Sequence, residues 1–63
     1  KKMERVLKIL MERDDMSRED AMDLIDNFKR DLEYTIVTGD LEECEELLSL
    51  HFGLEPDYLI DFL

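Results

Sequence analysis

Cys44 and His51 are the only cysteine and the only histidine of the chain, seven residues apart, and that spacing sets both on one face of a helix. Such a pair could ligate a metal ion or activate a thiolate as a nucleophile. Structural zinc takes four ligands, however, and no further Cys or His exists to complete a set. The expected roles are a small core residue for Cys44 and a semi-buried, hydrogen-bonded ring for His51. Glu42, Glu43, Glu45 and Glu46 form the densest charge cluster. Carboxylates bind calcium when alternating oxygen ligands wrap a central glycine, and no such loop is present. They do acid–base work in a desolvated cleft that drives their pKa values apart. Four glutamates on the first turn and a half of an exposed helix do not supply one. Glycine-rich phosphate loops, Ser-His-Asp sets and basic–aromatic platforms are missing from the sequence as well. No catalytic residue, metal site or cofactor site is expected, and the domain is expected not to be an enzyme.

Charge separates the chain into two halves. Residues 1–30 hold all eight basic side chains (Lys1, Lys2, Arg5, Lys8, Arg13, Arg18, Lys29 and Arg30) against eight acids. Residues 31–63 hold ten acids (Asp31, Glu33, Asp40, Glu42, Glu43, Glu45, Glu46, Glu55, Asp57 and Asp61) and no Lys or Arg, so this half carries the whole net charge of −10. A surface of that sign repels phosphate, which argues against direct binding to nucleic acid or to anionic membranes and favours a basic protein partner. No apolar run approaches the roughly 18 residues of a membrane span, and no signal-peptide pattern is seen. A single thiol suits a reducing compartment. The expected location is cytoplasmic, in a bacterial host cell.

The elements that must position these residues are four helices in one domain over residues 1–63. The first is expected at about 2–13, with Met3, Val6, Leu7, Ile9, Leu10 and Met11 in an apolar arc of roughly 200°. The second, at about 18–38, opens on Ser17 as N-cap with Asp20 three residues on. Ala21, Leu24, Ile25, Phe28, Leu32 and Ile36 recur along it at spacings of three and four, making one face. Asp26–Arg30 and Lys29–Glu33 are i,i+4 pairs of opposite charge on its outer side. Gly39 is expected at the left-handed position that ends this helix. Asp40 and Glu43 form a capping box for the third, at about 41–52, whose apolar face is Leu41, Cys44, Leu47, Leu48, His51 and Phe52. Gly53 stops it. Glu55 and Pro56 open a short fourth helix at about 56–63, with Leu54 and Leu59 in hydrophobic-staple positions. No segment alternates as a strand does. The expected architecture is all-α, a small bundle of three main helices plus a short C-terminal helix. Its core is expected to contain Val6, Leu7, Leu10, Ala21, Ile25, Phe28, Leu32, Leu41, Cys44 and Leu48.

Three runs carry a resemblance: Met16-Ser17-Arg18-Glu19-Asp20-Ala21, Gly39-Asp40-Leu41-Glu42-Glu43, and Gly53-Leu54-Glu55-Pro56-Asp57-Tyr58-Leu59. They look like a group of small acidic all-helical proteins from phages and prophages whose function is unassigned. The shared positions are caps, turns and core residues, so the resemblance implies a fold and a phage or bacterial origin, and no chemistry.

Some apolar residues fall outside the expected core. Tyr34 and Val37 lie about 60–90° beyond the apolar face of the second helix, and Leu50 sits among glutamates opposite the apolar face of the third. Glu42–Glu45, Glu42–Glu46 and Glu43–Glu46 are repulsive neighbours on a helix, although acids near its N-terminus are favoured. Together Tyr34, Val37, Glu42, Glu43, Glu45, Glu46 and Leu50 are the candidate partner-binding residues. The leading functional expectation is a non-enzymatic protein-interaction module that takes a basic partner. It is also expected to self-associate as a homodimer through apolar surface on the first helix, the fourth helix and the Tyr34/Val37 edge, unless the fourth helix folds back over that surface. The alternative is an acidic nucleic-acid mimic that occupies the basic site of a host DNA-binding or defence protein. Carboxylates on successive helical turns lie about 5–6 Å apart, near the phosphate spacing along one DNA strand.

Overall fold

The computed structural model describes residues 3–63 and is all-α. Helix α1 spans Met3–Arg13, α2 spans Arg18–Thr38 and α3 spans Leu41–Phe52, and Pro56–Phe62 form a terminal 3₁₀ helix. Lys2, placed by the sequence pattern at the start of the first helix, lies outside the described residues. α1 packs on α2, α2 on α3, and the terminal helix on both α3 and α1, so the last element closes the domain back onto the first.

The helix ends follow the chemistry of their caps. Ser17 Oγ accepts from the Asp20 N–H at 3.0 Å, satisfying one of the donors that a helix start leaves unpaired. At α3 the box is complete: Asp40 Oδ1 accepts from the Glu43 N–H at 3.0 Å, and Glu43 Oε1 accepts from the Asp40 N–H at 3.3 Å. Gly53 ends α3 in the left-handed region at φ 64°, ψ 28°, where a Cβ would be strained. Asp15, two residues past the end of α1, is also left-handed at φ 57°, a conformation that Asp tolerates better than most residues.

Gly39 departs from expectation. It is extended, at φ −127°, ψ −160°, and its N–H donates to Thr35 O at 2.7 Å. The next residue is already the N-cap of α3, so the chain runs straight into a cap instead of curling away. Glycine is favoured here for space: a Cβ would collide with the carboxylate of Glu43, the group that closes the capping box.

Among the described residues twelve side chains are buried in one cluster, and nine of the ten expected core residues are among them, joined by Phe52, Leu54 and Leu59. Phe28 is fully buried at the centre. Its ring meets Phe62 edge-on at 4.7 Å between centroids, Phe52 at 4.9 Å and His51 at 5.3 Å, the geometry that aromatic quadrupoles prefer. The exception is Leu41, which is 63% exposed. Its position within α3 points it along the core stripe, but it stands in the first turn, at the end of the bundle. Ile36, expected on the buried face of α2, is likewise about half exposed at 48%.

The terminal helix is held by its apolar face and by charge. Leu59 is buried, and Tyr58 and Phe62 pack partly buried against the core. Arg5 of α1 grips Asp61 through two hydrogen bonds of 2.9 Å each, and its guanidinium lies 4.3 Å from the centre of the Tyr58 ring. Asp61 is only 8% exposed in this fork, which raises the Arg5 pKa through the hydrogen bond. Arg13 pairs with Asp14 at 2.8 Å and also donates to the Phe52 carbonyl at 2.6 Å. A cation thus meets a carbonyl at the negative end of α3. The hydrogen bond from Arg13 holds the Asp14 carboxyl below its ordinary pKa. Arg18 reaches Glu4 at 3.1 Å between α2 and α1. The expected pairs Asp26–Arg30 and Lys29–Glu33 are not among the ion pairs of the described residues.

Truncating Phe28 removes the centre of the cluster. Phe28→Ala is predicted to cost about 3–5 kcal/mol, whereas Leu50→Ala, on the exposed side of α3, should stay within about 0.5 kcal/mol of the parent. Asp40→Ala should cost about 1 kcal/mol through loss of the cap. Urea melts monitored by circular dichroism measure all three.

Candidate interaction surface

The four glutamates do not act as one array. Glu43 commits its carboxylate to the Asp40 N–H, so it belongs to the cap of α3. Glu45 is half-buried, and Glu42 and Glu46 are exposed. With Asp40 they line a shallow open concavity of about 510 Å³ over the first turns of α3. The structure gathers these carboxylates around one concavity, and the capping box ties up Glu43.

Tyr34, Val37 and Leu50 are all strongly exposed. On α2, Tyr34 and Val37 stand about 150° from the centre of the buried stripe of Ala21, Ile25, Phe28 and Leu32, on the outer side of the helix. Leu50 faces away from Cys44 and Leu48 on α3, on the side that also carries Glu43 and Glu46. Neither group lines the acidic concavity.

An apolar groove that the sequence pattern does not single out lies at the corner between α2 and α3. It has a volume of about 270 Å³ and is lined by Ile36, Gly39, Asp40, Leu41, Cys44, Leu59 and Leu63. Cys44 and Leu59 are buried, whereas Ile36, Leu41 and Leu63 stand exposed around them, Leu63 at 70%. Asp40 lines both the groove and the acidic concavity, so the two adjoin at that residue. Leu41 and Ile36 carry helical spacings that signal burial, and the missing signal is the position of the bundle's end.

Cys44 and His51 do not combine into a site. Seven residues of α-helix separate them by roughly 10 Å along the axis. The Cys44 thiol is 3% exposed, and its pKa is raised, first by burial and then by the nearby charges of Asp40, Glu43 and Glu45. A thiol in that setting resists becoming the reactive thiolate. The His51 side chain is about one-third exposed, with Nε2 3.6 Å from Asp31 Oδ2. That distance is too long for the expected hydrogen bond, and the ring is held by its edge contact with Phe28. Among the described residues, no set of three Cys, His, Asp or Glu side chains is placed to hold a metal ion, and no helix is long and apolar enough to cross a membrane.

No family model, no curated protein and no solved structure matches the chain.

Burial of Cys44 gives a direct check on this corner of the fold. Iodoacetamide at pH 8 is expected to leave the native thiol largely unmodified and to label it readily in denaturing urea. Rapid labelling of the native domain would show that the groove opens down to its floor.

Proposed function

We propose that this domain is a non-enzymatic protein-interaction module that takes a basic protein partner, and that it is phage-encoded and acts in the cytoplasm of a bacterial host. The observation that carries the proposal is the unneutralised charge of the second half. Arg5, Arg13 and Arg18 are each engaged within the chain, and of the ten acids in residues 31–63 only Asp61 meets an arginine among the described residues. Asp31 faces the His51 ring. The remaining carboxylates repel one another in the free domain, and a basic partner relieves that repulsion while gaining rate and selectivity from the field.

The mixed character of the surface favours a protein-binding role over nucleic-acid mimicry. A mimic depends on an ordered row of free carboxylates. Here Glu43 is tied into the α3 cap, and Leu41 and Leu50 interrupt the acids with exposed apolar side chains. Alternating apolar and acidic groups suit a protein surface that presents both cations and hydrocarbon.

The test changes Glu42, Glu43, Glu45 and Glu46 together to Gln. Gln retains the capping box at the third position of the helix, so the fold should persist or gain slightly in stability. Capture of basic proteins from bacterial lysate, identified by mass spectrometry, should weaken, and its salt dependence should flatten. Unchanged capture by the variant would return these glutamates to a merely solvated face. A tight DNA complex in a gel-shift assay at physiological salt would overturn the charge argument itself.

A further inference from the structure

We propose that the groove between the end of α2, the start of α3 and the terminal helix is the docking site for a basic amphipathic segment, which inserts one large apolar side chain over Cys44 and Leu59 and lays its cations on the adjoining carboxylates. This deepens the proposed function and rests on it.

Leu41 carries the inference. It continues the stripe of Cys44, Leu48 and Phe52 by one more turn, yet it is 63% exposed. Ile36 and Leu63 stand exposed around the same groove, whose floor is already buried. Three large apolar side chains converging on a pre-formed concavity exceed the singly scattered exposure that needs no explanation. A cavity of about 150 Å³ lined by aliphatic side chains holds benzene, so the roughly 270 Å³ here accommodates a leucine, methionine or phenylalanine side chain.

Charge decides the occupant. Every residue lining the groove comes from the half of the chain that has no Lys or Arg. Two copies meeting face to face here would bring acid against acid, at a cost that grows as the interface dries. A segment bearing Lys or Arg gains instead from the same field. Asp40 sits on the shared edge of the groove and the acidic concavity, and Glu45 stands one helical turn from Leu41, so an apolar side chain seated in the first places its neighbours beside these two carboxylates. An anchor in a pocket with charged groups around it is a common form of helix-in-groove recognition.

The probes are three short synthetic peptides of helical periodicity: one of Leu and Lys, one of Lys and Ser with the same charge, and one of Leu and Glu. Binding to the intact chain is followed by ¹⁵N amide shifts and by isothermal titration. The Leu/Lys peptide should bind at least about tenfold more tightly than the Lys/Ser peptide, with the largest shifts at Ile36, Gly39, Leu41 and Leu63, and the Leu/Glu peptide should not bind. Leu41→Ser should leave the melting transition in place and weaken the Leu/Lys peptide about tenfold, while leaving the Lys/Ser peptide unchanged. Equal affinity for the two Lys peptides with no effect of Leu41→Ser overturns the groove and leaves the acidic-surface reading standing. Failure of both Lys peptides to bind overturns the two together. A dimer of the free chain in sedimentation that Leu41→Ser dissolves gives the groove to a second copy and overturns the proposal.

Discussion

The edge-on cluster around Phe28 is the interaction on which the rest of this domain depends. One fully buried ring on α2 is met by Phe52 and His51 from α3 and by Phe62 from the terminal helix. A seven-residue 3₁₀ helix has no independent stability, because its hydrogen bonds are poorly aligned and its nucleation is costly. It exists here because Phe62 and Leu59 find apolar partners and Asp61 finds Arg5. In a chain of 63 residues the fraction of surface removed from water is small, so the last element completes the core. Its docking also sets Leu59 into the floor of the corner groove and Leu63 onto its wall.

Much of this was legible in the sequence. Ser17, Asp40 with Glu43, Gly53 and Pro56 each mark a helix boundary by a local mechanism, and local mechanisms survive folding unchanged. The stripes of α1 and α2 named most of the core for the same reason: at about 100° per residue they define a face before any partner is known. The terminal helix does fold back over part of the apolar surface, the alternative set against self-association, while Ile60 and Leu63 stay exposed on it.

What was not legible depends on where neighbouring elements stop. Leu41 and Ile36 have the spacing of core residues, but periodicity describes a direction around a helix and carries no information about the end of the bundle. Gly39 looks like a left-handed terminator because glycine before a cap so often is one. Its actual role, leaving room for the Glu43 carboxylate, is set by the reach of a side chain four residues away. The candidate surface shares this limit. The acidic patch is a matter of composition and local spacing, whereas the groove beside it is completed by Leu59 and Leu63 of the terminal helix, far along the sequence from the α2–α3 corner.

Phe28 and Phe62 act together to hold the terminal helix in place, and a double-mutant cycle measures that directly. Phe28→Leu, Phe62→Leu and the double variant keep an apolar side chain at each site, and their unfolding free energies by urea denaturation isolate the pair. The predicted coupling is about 0.5–1.5 kcal/mol. Additivity within about 0.3 kcal/mol would contradict the account, because the terminal helix would then be held without the ring that is placed here at its centre.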